Sequence, residues 1–210
     1  MIGLDRAGWP FLAGAVALAL VGVWAFGRWG AVPGVLLALA LAFFFRDPER
    51  QLPADQELIL SPADGVVMRV GPGDDGAPPG TWQQITIFLS PLDVHVNRAP
   101  VAGRVTRVSY HPGRFLPAYK PESGALNERS EVWVDHGGQT AVFRQVVGVL
   151  ARRVVCRVEA GDTLRVGQRI GVMKFGSRMD VFLPPSIAVA ARQGDTVVAG
   201  VTVLGRWSPS

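Results

Sequence analysis

The residues best suited to chemistry lie toward the C-terminus, in Gly171-Val172-Met173-Lys174-Phe175-Gly176-Ser177-Arg178-Met179-Asp180-Val181-Phe182-Leu183-Pro184. In isolation Gly-Ser is a common turn dipeptide. Here it falls between strand-like runs. A serine hydroxyl on a tight turn can attack the carbonyl of the preceding residue, and glycine in that place adds no side chain to obstruct the approach. The ester so formed can eliminate to dehydroalanine, which hydrolyses to a ketone and ammonia. Gly176-Ser177 is therefore apt for a self-cleavage that converts Ser177 into a pyruvoyl group.

Three histidines, His95, His111 and His136, are the choices for a general acid or base near neutral pH. His95, at the end of an apolar run, is the expected acid or base beside residue 177; a structural histidine satisfied by backbone is the plainer alternative. His111, in Tyr110-His111-Pro112-Gly113, reads as turn decoration, and His136, before Gly137-Gly138, as a hairpin end. Asp64 and Asp93 are candidates to orient His95 or to assist the serine, or else are turn residues. Arg98, Arg129 and Arg178 can each offer a carboxylate or phosphate a bidentate fork, or else be solvated surface charges. Cys156 is the single cysteine, which excludes an internal disulfide and a multi-cysteine metal site, and it reads as a core residue.

The elements that must position these groups fall into two parts. No charged residue occurs between Ala7 and Gly27 or between Trp29 and Phe45. As helices the two runs would be about 31 and 25 Å long, against a hydrocarbon core of about 30 Å. The first can span a bilayer and the second is marginal. Gly27-Arg28-Trp29-Gly30 permits only a tight turn, so residues 1–50 read as a membrane-anchoring helical hairpin that returns the chain to its starting side. Arg6, Arg46 and Arg50 flank the hairpin and only Arg28 lies at its tip, which places the body on the cytoplasmic side of the cell membrane. A cleaved signal peptide would leave the second run unexplained. The net charge of +4 comes from scattered Arg with only two Lys, which suits anionic headgroups as well as nucleic acid; the hairpin favours the lipid.

Residues 51–210 show short β-branched runs such as Ile85-Thr86-Ile87-Phe88-Leu89, Val132-Trp133-Val134 and Val197-Val198-Ala199, punctuated by Gly, Pro and Asp. This pattern predicts a mainly β barrel or sandwich. Residues 71–80, rich in Gly and Pro, read as a loop that cannot pack. Two internal echoes stand out. Ser61-Pro62-Ala63-Asp64-Gly65-Val66-Val67 resembles Ala99-Pro100-Val101-Ala102-Gly103-Arg104-Val105. Gly161-Asp162-Thr163-Leu164-Arg165-Val166-Gly167 resembles Gly194-Asp195-Thr196-Val197-Val198-Ala199-Gly200. Such elements join the strands of biotinyl and lipoyl domains, so a related barrel-sandwich is expected, which by itself says nothing of chemistry.

Phe175-Gly176-Ser177-Arg178-Met179-Asp180 resembles the processing motif of the short, prokaryotic type of phosphatidylserine decarboxylase proenzyme. Phe43-Phe44-Phe45-Arg46-Asp47-Pro48-Glu49-Arg50 is similar to that family's junction after its membrane segment. Ser61-Pro62-Ala63-Asp64-Gly65, Leu89-Ser90-Pro91-Leu92-Asp93-Val94-His95-Val96-Asn97-Arg98 and Asn127-Glu128-Arg129 also match family motifs, in family order, and the likeness covers residues 43–205. The resemblance implies self-cleavage at 176/177 into a β chain (1–176) and an α chain (177–210) headed by the pyruvoyl cofactor. It implies a phosphatidylserine substrate whose amine forms a Schiff base with that ketone, release of carbon dioxide into an electron sink, and phosphatidylethanolamine as product, with no metal. A homo-oligomer is left open. Longer family members carry a second histidine three residues after the first; here Arg98 stands there, so an Asp-His-Ser triad does not transfer directly.

Other readings use the same segment. Met173-Lys174-Phe175 resembles the hairpin on which biotin carriers accept biotin, but Gly171-Val172 precede the lysine instead of an acidic-small pair. A serine hydrolase built on Ser177, His95 and Asp64 or Asp93 lacks the Gly-x-Ser-x-Gly elbow. A lipoyl-like membrane adaptor would leave five ordered motifs as coincidence.

Overall fold

The computed structural model describes residues 2–74, 76–149, 154–173 and 177–207. By its contacts the chain divides into two units, Met1–Glu49 and Arg50–Ser210.

In the first unit, β1 (Ile2–Leu4) leads through a 3-10 turn into α1 (Trp9–Phe26); a second 3-10 turn, Arg28–Ala31, joins α2 (Val32–Phe44), and β2 (Arg46–Pro48) follows. A proline stands in the first turn of each helix, where its missing N–H costs nothing. Gly27, at φ +68°, ends α1. The helices approach through small residues: a Cβ on Gly22 would strike the Gly30 carbonyl, and one on Gly34 the Ala19 backbone. β1 pairs antiparallel with β2, Ile2 opposite Pro48, so the two ends of the hairpin come back together. The segment Arg6–Phe26, of 21 residues, is long and apolar enough to cross a membrane, whereas Arg28–Phe44 is shorter. Most apolar side chains of the longer segment are unburied, Trp24 at 89% and Phe26 at 81% exposure.

The second unit is mainly β. Its strands are β3 (Leu58–Leu60), β4 (Gly65–Pro72), β5 (Gln83–Leu89), β6 (Val96–Arg98), β7 (Gly103–His111), β8 (Arg129–His136), β9 (Gln139–Val146), β10 (Val154–Cys156), β11 (Thr163–Leu164), β12 (Arg169–Met173), β13 (Ser177–Leu183), β14 (Thr196–Val197) and β15 (Val203–Arg206), with one short helix, α3 (Ser123–Leu126). Eight strands form an antiparallel sheet in the order β11-β7-β8-β9-β13-β5-β4-β14, curled into a half-barrel. A three-stranded sheet, β10-β12-β6, and the pair β15-β3 accompany it. The core contains Ile85, Ile87, Phe143, Met179 and Val181 of the large sheet and Ile170, Met173, Ile59 and Leu204 of the smaller ones, all buried. Along each strand of the large sheet, alternation sends one set of side chains inward and the other out.

The two sequence echoes are structurally equivalent. Val67 N–H donates to the Asp195 carbonyl and Val105 N–H to that of Asp162; Gly194 and Gly161 N–H return bonds to Val67 and Val105. β14 pairs with β4 at Gly65, and β11 pairs with β7 at Gly103. A Cβ on Gly65 would meet the Phe88 carbonyl and one on Gly103 that of Asp135, which is why both turns demand glycine.

Two expectations are corrected. The 71–80 loop does pack: Asp74 exchanges hydrogen bonds with Gln84, the Arg144 guanidinium donates to the Gly76 carbonyl, and Pro78 is buried. Of Val197-Val198-Ala199 only Val197 is in a strand, because the chain turns ahead of Gly200, which sits at φ +71°.

Candidate active site

Ser177 heads β13, opposite Leu89 of β5. Leu89 and Met179 belong to the core, so alternation points the Ser177 side chain inward as well. The residue is fully buried, and its hydroxyl has no hydrogen-bond partner among the described residues. An orphaned buried hydroxyl forfeits roughly 1–3 kcal/mol of solvation, a cost natural proteins rarely carry without use. Lys174, Phe175 and Gly176 lie outside the described residues, so the carbonyl that the hydroxyl would attack is not placed.

His95 enters β6 and is 1% exposed. Its Nδ1 lies 2.9 Å from the Asp93 carbonyl oxygen. A carbonyl only accepts, so Nδ1 must carry the proton and Nε2 is the nitrogen that can take one up. The His95 carbonyl in turn accepts from Met173 N–H at 3.2 Å, which ties the histidine to the last residue of β12, four positions before Ser177. Asp93 thus orients the imidazole through its backbone; its carboxylate instead accepts from Ser90 N–H at 2.7 Å and closes the turn. The Asp64 carboxylate accepts from Ala199 N–H and from Arg50, both at 2.8 Å, and so locks the turn before Gly65 to the Gly194–Gly200 turn.

A polar relay crosses the interior between the sheets. Ser130 Oγ donates to Gln145 Oε1 at 2.9 Å, and Gln145 Nε2 donates to Asn97 Oδ1 at 2.8 Å. Gln145 is opposite Met179 on β13. The Asn97 amide nitrogen is buried and, like the Ser177 hydroxyl, unpartnered among the described residues. These residues were given no role by sequence reasoning, yet a signal existed: Ala141 and Phe143 face the core, so Gln145 interrupts an apolar face at period two.

Arg178 and Arg129 point the other way. Arg129, Val146, Arg178 and Phe88 occupy one row across the sheet, offset by one residue from Ser177 and so on its outer face. Arg178 Nε meets Asp180 Oδ1 at 2.7 Å and Nη2 lies 3.5 Å from Asp74, while Thr86 Oγ1 donates to the same Asp180 oxygen at 2.7 Å. Arg129 donates to the Ala125 carbonyl at 2.7 Å. Alongside them Arg144 is paired with Glu131 at 2.6 Å. Burial raises the Glu131 carboxyl, but the Arg144 charge and the hydrogen bonds from Trp133 and Arg144 outweigh it, so the group is held below its ordinary value. His111, read from sequence as turn decoration, is instead the last residue of β7, opposite Arg129. His136 ends β8, stacks on Trp207 at 4.8 Å and bonds Glu57 at 3.1 Å.

Arg98 follows Asn97 and points to the opposite side of β6. It is 4% exposed, and its Nη1 donates to the Gly167 carbonyl at 3.0 Å. Cys156 is half-buried against the core, and burial pushes its thiol up.

Comparison with known proteins agrees with the expectation drawn from the motifs. A sequence model of the family described as phosphatidylserine decarboxylase matches residues 37–205. A protein of Symbiobacterium thermophilum named phosphatidylserine decarboxylase proenzyme is 46% identical over 97% of this chain and 95% of its own length. Proteins of the same name from Chlorobium chlorochromatii and Nitrosomonas europaea are 45% and 41% identical, covering 82% and 97% of this chain and 82% and 95% of their own. With both the domain-wide match and these near full-length likenesses, the chain belongs to the phosphatidylserine decarboxylase family and is an enzyme of the carboxy-lyase class.

Proposed function

We propose that this chain is the precursor of a membrane-attached enzyme that cleaves itself between Gly176 and Ser177 and then converts phosphatidylserine to phosphatidylethanolamine and carbon dioxide. The observation that carries this reading is the Ser177 hydroxyl, fully buried at the head of β13 with no partner among the described residues. A hydroxyl so placed is desolvated and uncommitted, as an internal nucleophile should be. Cleavage would leave chains of residues 1–176 and 177–210.

A pyruvoyl group keeps the three carbons of the serine from which it forms, and the Ser177 hydroxyl that the conversion would remove has no partner among the described residues. A pyruvoyl group at residue 177 would supply a ketone to capture the substrate's amine and a conjugated carbonyl to receive the electrons released with carbon dioxide. The protein's own residues handle protons and orientation. His95, with Nδ1–H fixed on the Asp93 carbonyl, presents Nε2 to take a proton from the serine hydroxyl or return one to the decarboxylated carbon. Asn97, held through Gln145 by Ser130, offers its unpartnered N–H to a carbonyl oxygen that gains negative charge. Asp64 and Asp93 serve by fixing backbone. Arg178 and Arg129 hold the outer face of β13 and its neighbours, and Arg98 holds the Gly167 turn from the opposite side of β6. The apolar Arg6–Phe26 segment supports attachment to the membrane, with the catalytic unit on the cytoplasmic side.

Ser177→Ala tests the reading. The variant should run as a single chain on a denaturing gel and release no carbon dioxide from phosphatidylserine. Decarboxylation by that variant would overturn the mechanism.

A further inference from the structure

Once the chain is cut, residue 177 keeps a covalent attachment on one side only, through its peptide bond to Arg178. The carbonyl that would receive the electrons belongs to that bond, so its plane depends on what holds Arg178. Pairing with β5 includes Ser177, opposite Leu89, but pairing with β9 begins at Arg178, opposite Val146. Ser177 is thus flanked by one strand, and Arg178 is the first residue of β13 flanked by two. A new chain end at this place frays unless it is tied down.

The Arg178 side chain supplies the tie. It is buried on the outer face, and its contacts reach beyond β13 to two covering segments. Nε donates to Asp180 Oδ1 at 2.7 Å, and Nη2 lies 3.5 Å from Asp74 Oδ2 of the 71–80 loop. Nη1 donates to the Pro121 carbonyl at 3.2 Å. Gly124 of α3 lies against the guanidinium, so that a Cβ there would come within 2.8 Å of Nη2. Thr86 Oγ1, opposite Asp180 on β5, donates to the same Asp180 oxygen at 2.7 Å and accepts from Gln84 Nε2 at 3.1 Å, which also donates to Asp74 Oδ2 at 3.1 Å. A buried ion pair is weak ground for stability, because desolvation offsets much of the attraction, but its fixed geometry holds one arrangement against others.

We propose that Arg178 is a positioning residue for the reaction: clamped by Asp180, Asp74 and the Pro121 carbonyl, it fixes the end of β13 so that the group at residue 177 stays aimed inward after the cut. Arg178 acts from the face opposite the reacting side chain, and so through the backbone it shares with residue 177. The inference rests on the proposed self-cleavage and assigns what keeps its product in place.

The purified full-length protein is compared as wild type, Arg178→Met/Asp180→Asn, Arg178→Lys, Gly124→Ala and Gly103→Ala. The double variant removes both charges together, so that Asp180 is not left as a buried carboxylate without its arginine, and Gly124→Ala presses on the guanidinium without altering β13. Intact mass gives the fraction cut, and hydrogen exchange read by mass spectrometry follows residues 177–183. In the double variant and in Gly124→Ala this segment should exchange about threefold faster or more, with β8 unchanged. Their kcat per cut chain should fall about tenfold or more, with KM held within about threefold. Arg178→Lys should fall between these and the wild type, since an ammonium keeps the charge and loses the fork. Gly103→Ala, strained in another turn, should keep both the exchange of residues 177–183 and kcat per cut chain. Unchanged exchange and kcat in the double variant and Gly124→Ala, a rise in KM in place of the fall in kcat, or an equal loss in Gly103→Ala would overturn the proposal. Should the double variant not fold, Gly124→Ala and Arg178→Lys decide it by the same readings. A wild type that does not cut itself would count against the proposed function; exchange in the uncut chain then decides the clamp, faster exchange at 177–183 in Gly124→Ala supporting it and an unchanged pattern overturning it.

Discussion

The Ser177 hydroxyl and the Asn97 amide nitrogen are buried with no partner among the described residues, and the Asp93 carbonyl sets the tautomer of His95. His95→Gln should keep the fold, because the Asp93 turn is closed independently by Ser90 N–H, yet lower decarboxylation by about 10²-fold or more, measured as released carbon dioxide. Loss of less than about threefold would make His95 structural. On the outer face, burial and then the Arg129 charge push the His111 imidazole down from its ordinary value of 6.5; Arg144 and Arg107 act the same way and Glu131 opposes them. Below pH of about 6.5 the unfolded chain takes up this proton before the folded chain does, so the contribution of His111 is complete above that value and is lost as pH falls through the depressed one. Thermal unfolding followed from pH 8 to pH 5 should show this fall in the wild type and a shallower one in His111→Asn.

At the scale of elements, the large sheet positions the site and the equivalent turns set its register. Gly65→Ala should cost more than about 1 kcal/mol, because φ +149° is strained for alanine and the new methyl would press on the Phe88 carbonyl. Gly103→Ala carries a comparable strain against Asp135 but lies away from β5. Both variants should melt early, and only Gly65→Ala should slow self-cleavage, because β5 is the strand that pairs with Ser177; equal slowing would show that stability alone is read. Much of this was legible in the sequence. Short β-branched runs between turn residues gave β5 and β8, and the repeated Pro-x-x-Gly and Gly-Asp elements gave the matched turns. The 71–80 loop was not legible as a packed element, since it is Asp74 and the Gly76 carbonyl, meeting Gln84, Arg144 and Arg178 from distant strands, that hold it down. The opposite facing of Ser177 and Arg178 needed only their adjacency on one strand, whereas the inward relay through Gln145 needed the pairing of β9 with β13.

For the molecule as a whole, the N-terminal unit exposes an apolar helix of membrane-spanning length, and the β unit encloses a serine that has no evident purpose as an intact residue. In the function we propose, these two features join in a lipid enzyme that is cut before it works. Expressed cells should therefore hold the protein in the membrane fraction through a high-salt wash, which strips proteins held by charge alone. The most direct measurement is the intact mass of the chains in an active preparation, taken under denaturing conditions. The account predicts two species that divide between Gly176 and Ser177, the shorter spanning residues 177–210 and carrying a ketone in place of a free N-terminal amine. A single uncut polypeptide from a preparation that decarboxylates phosphatidylserine would contradict it.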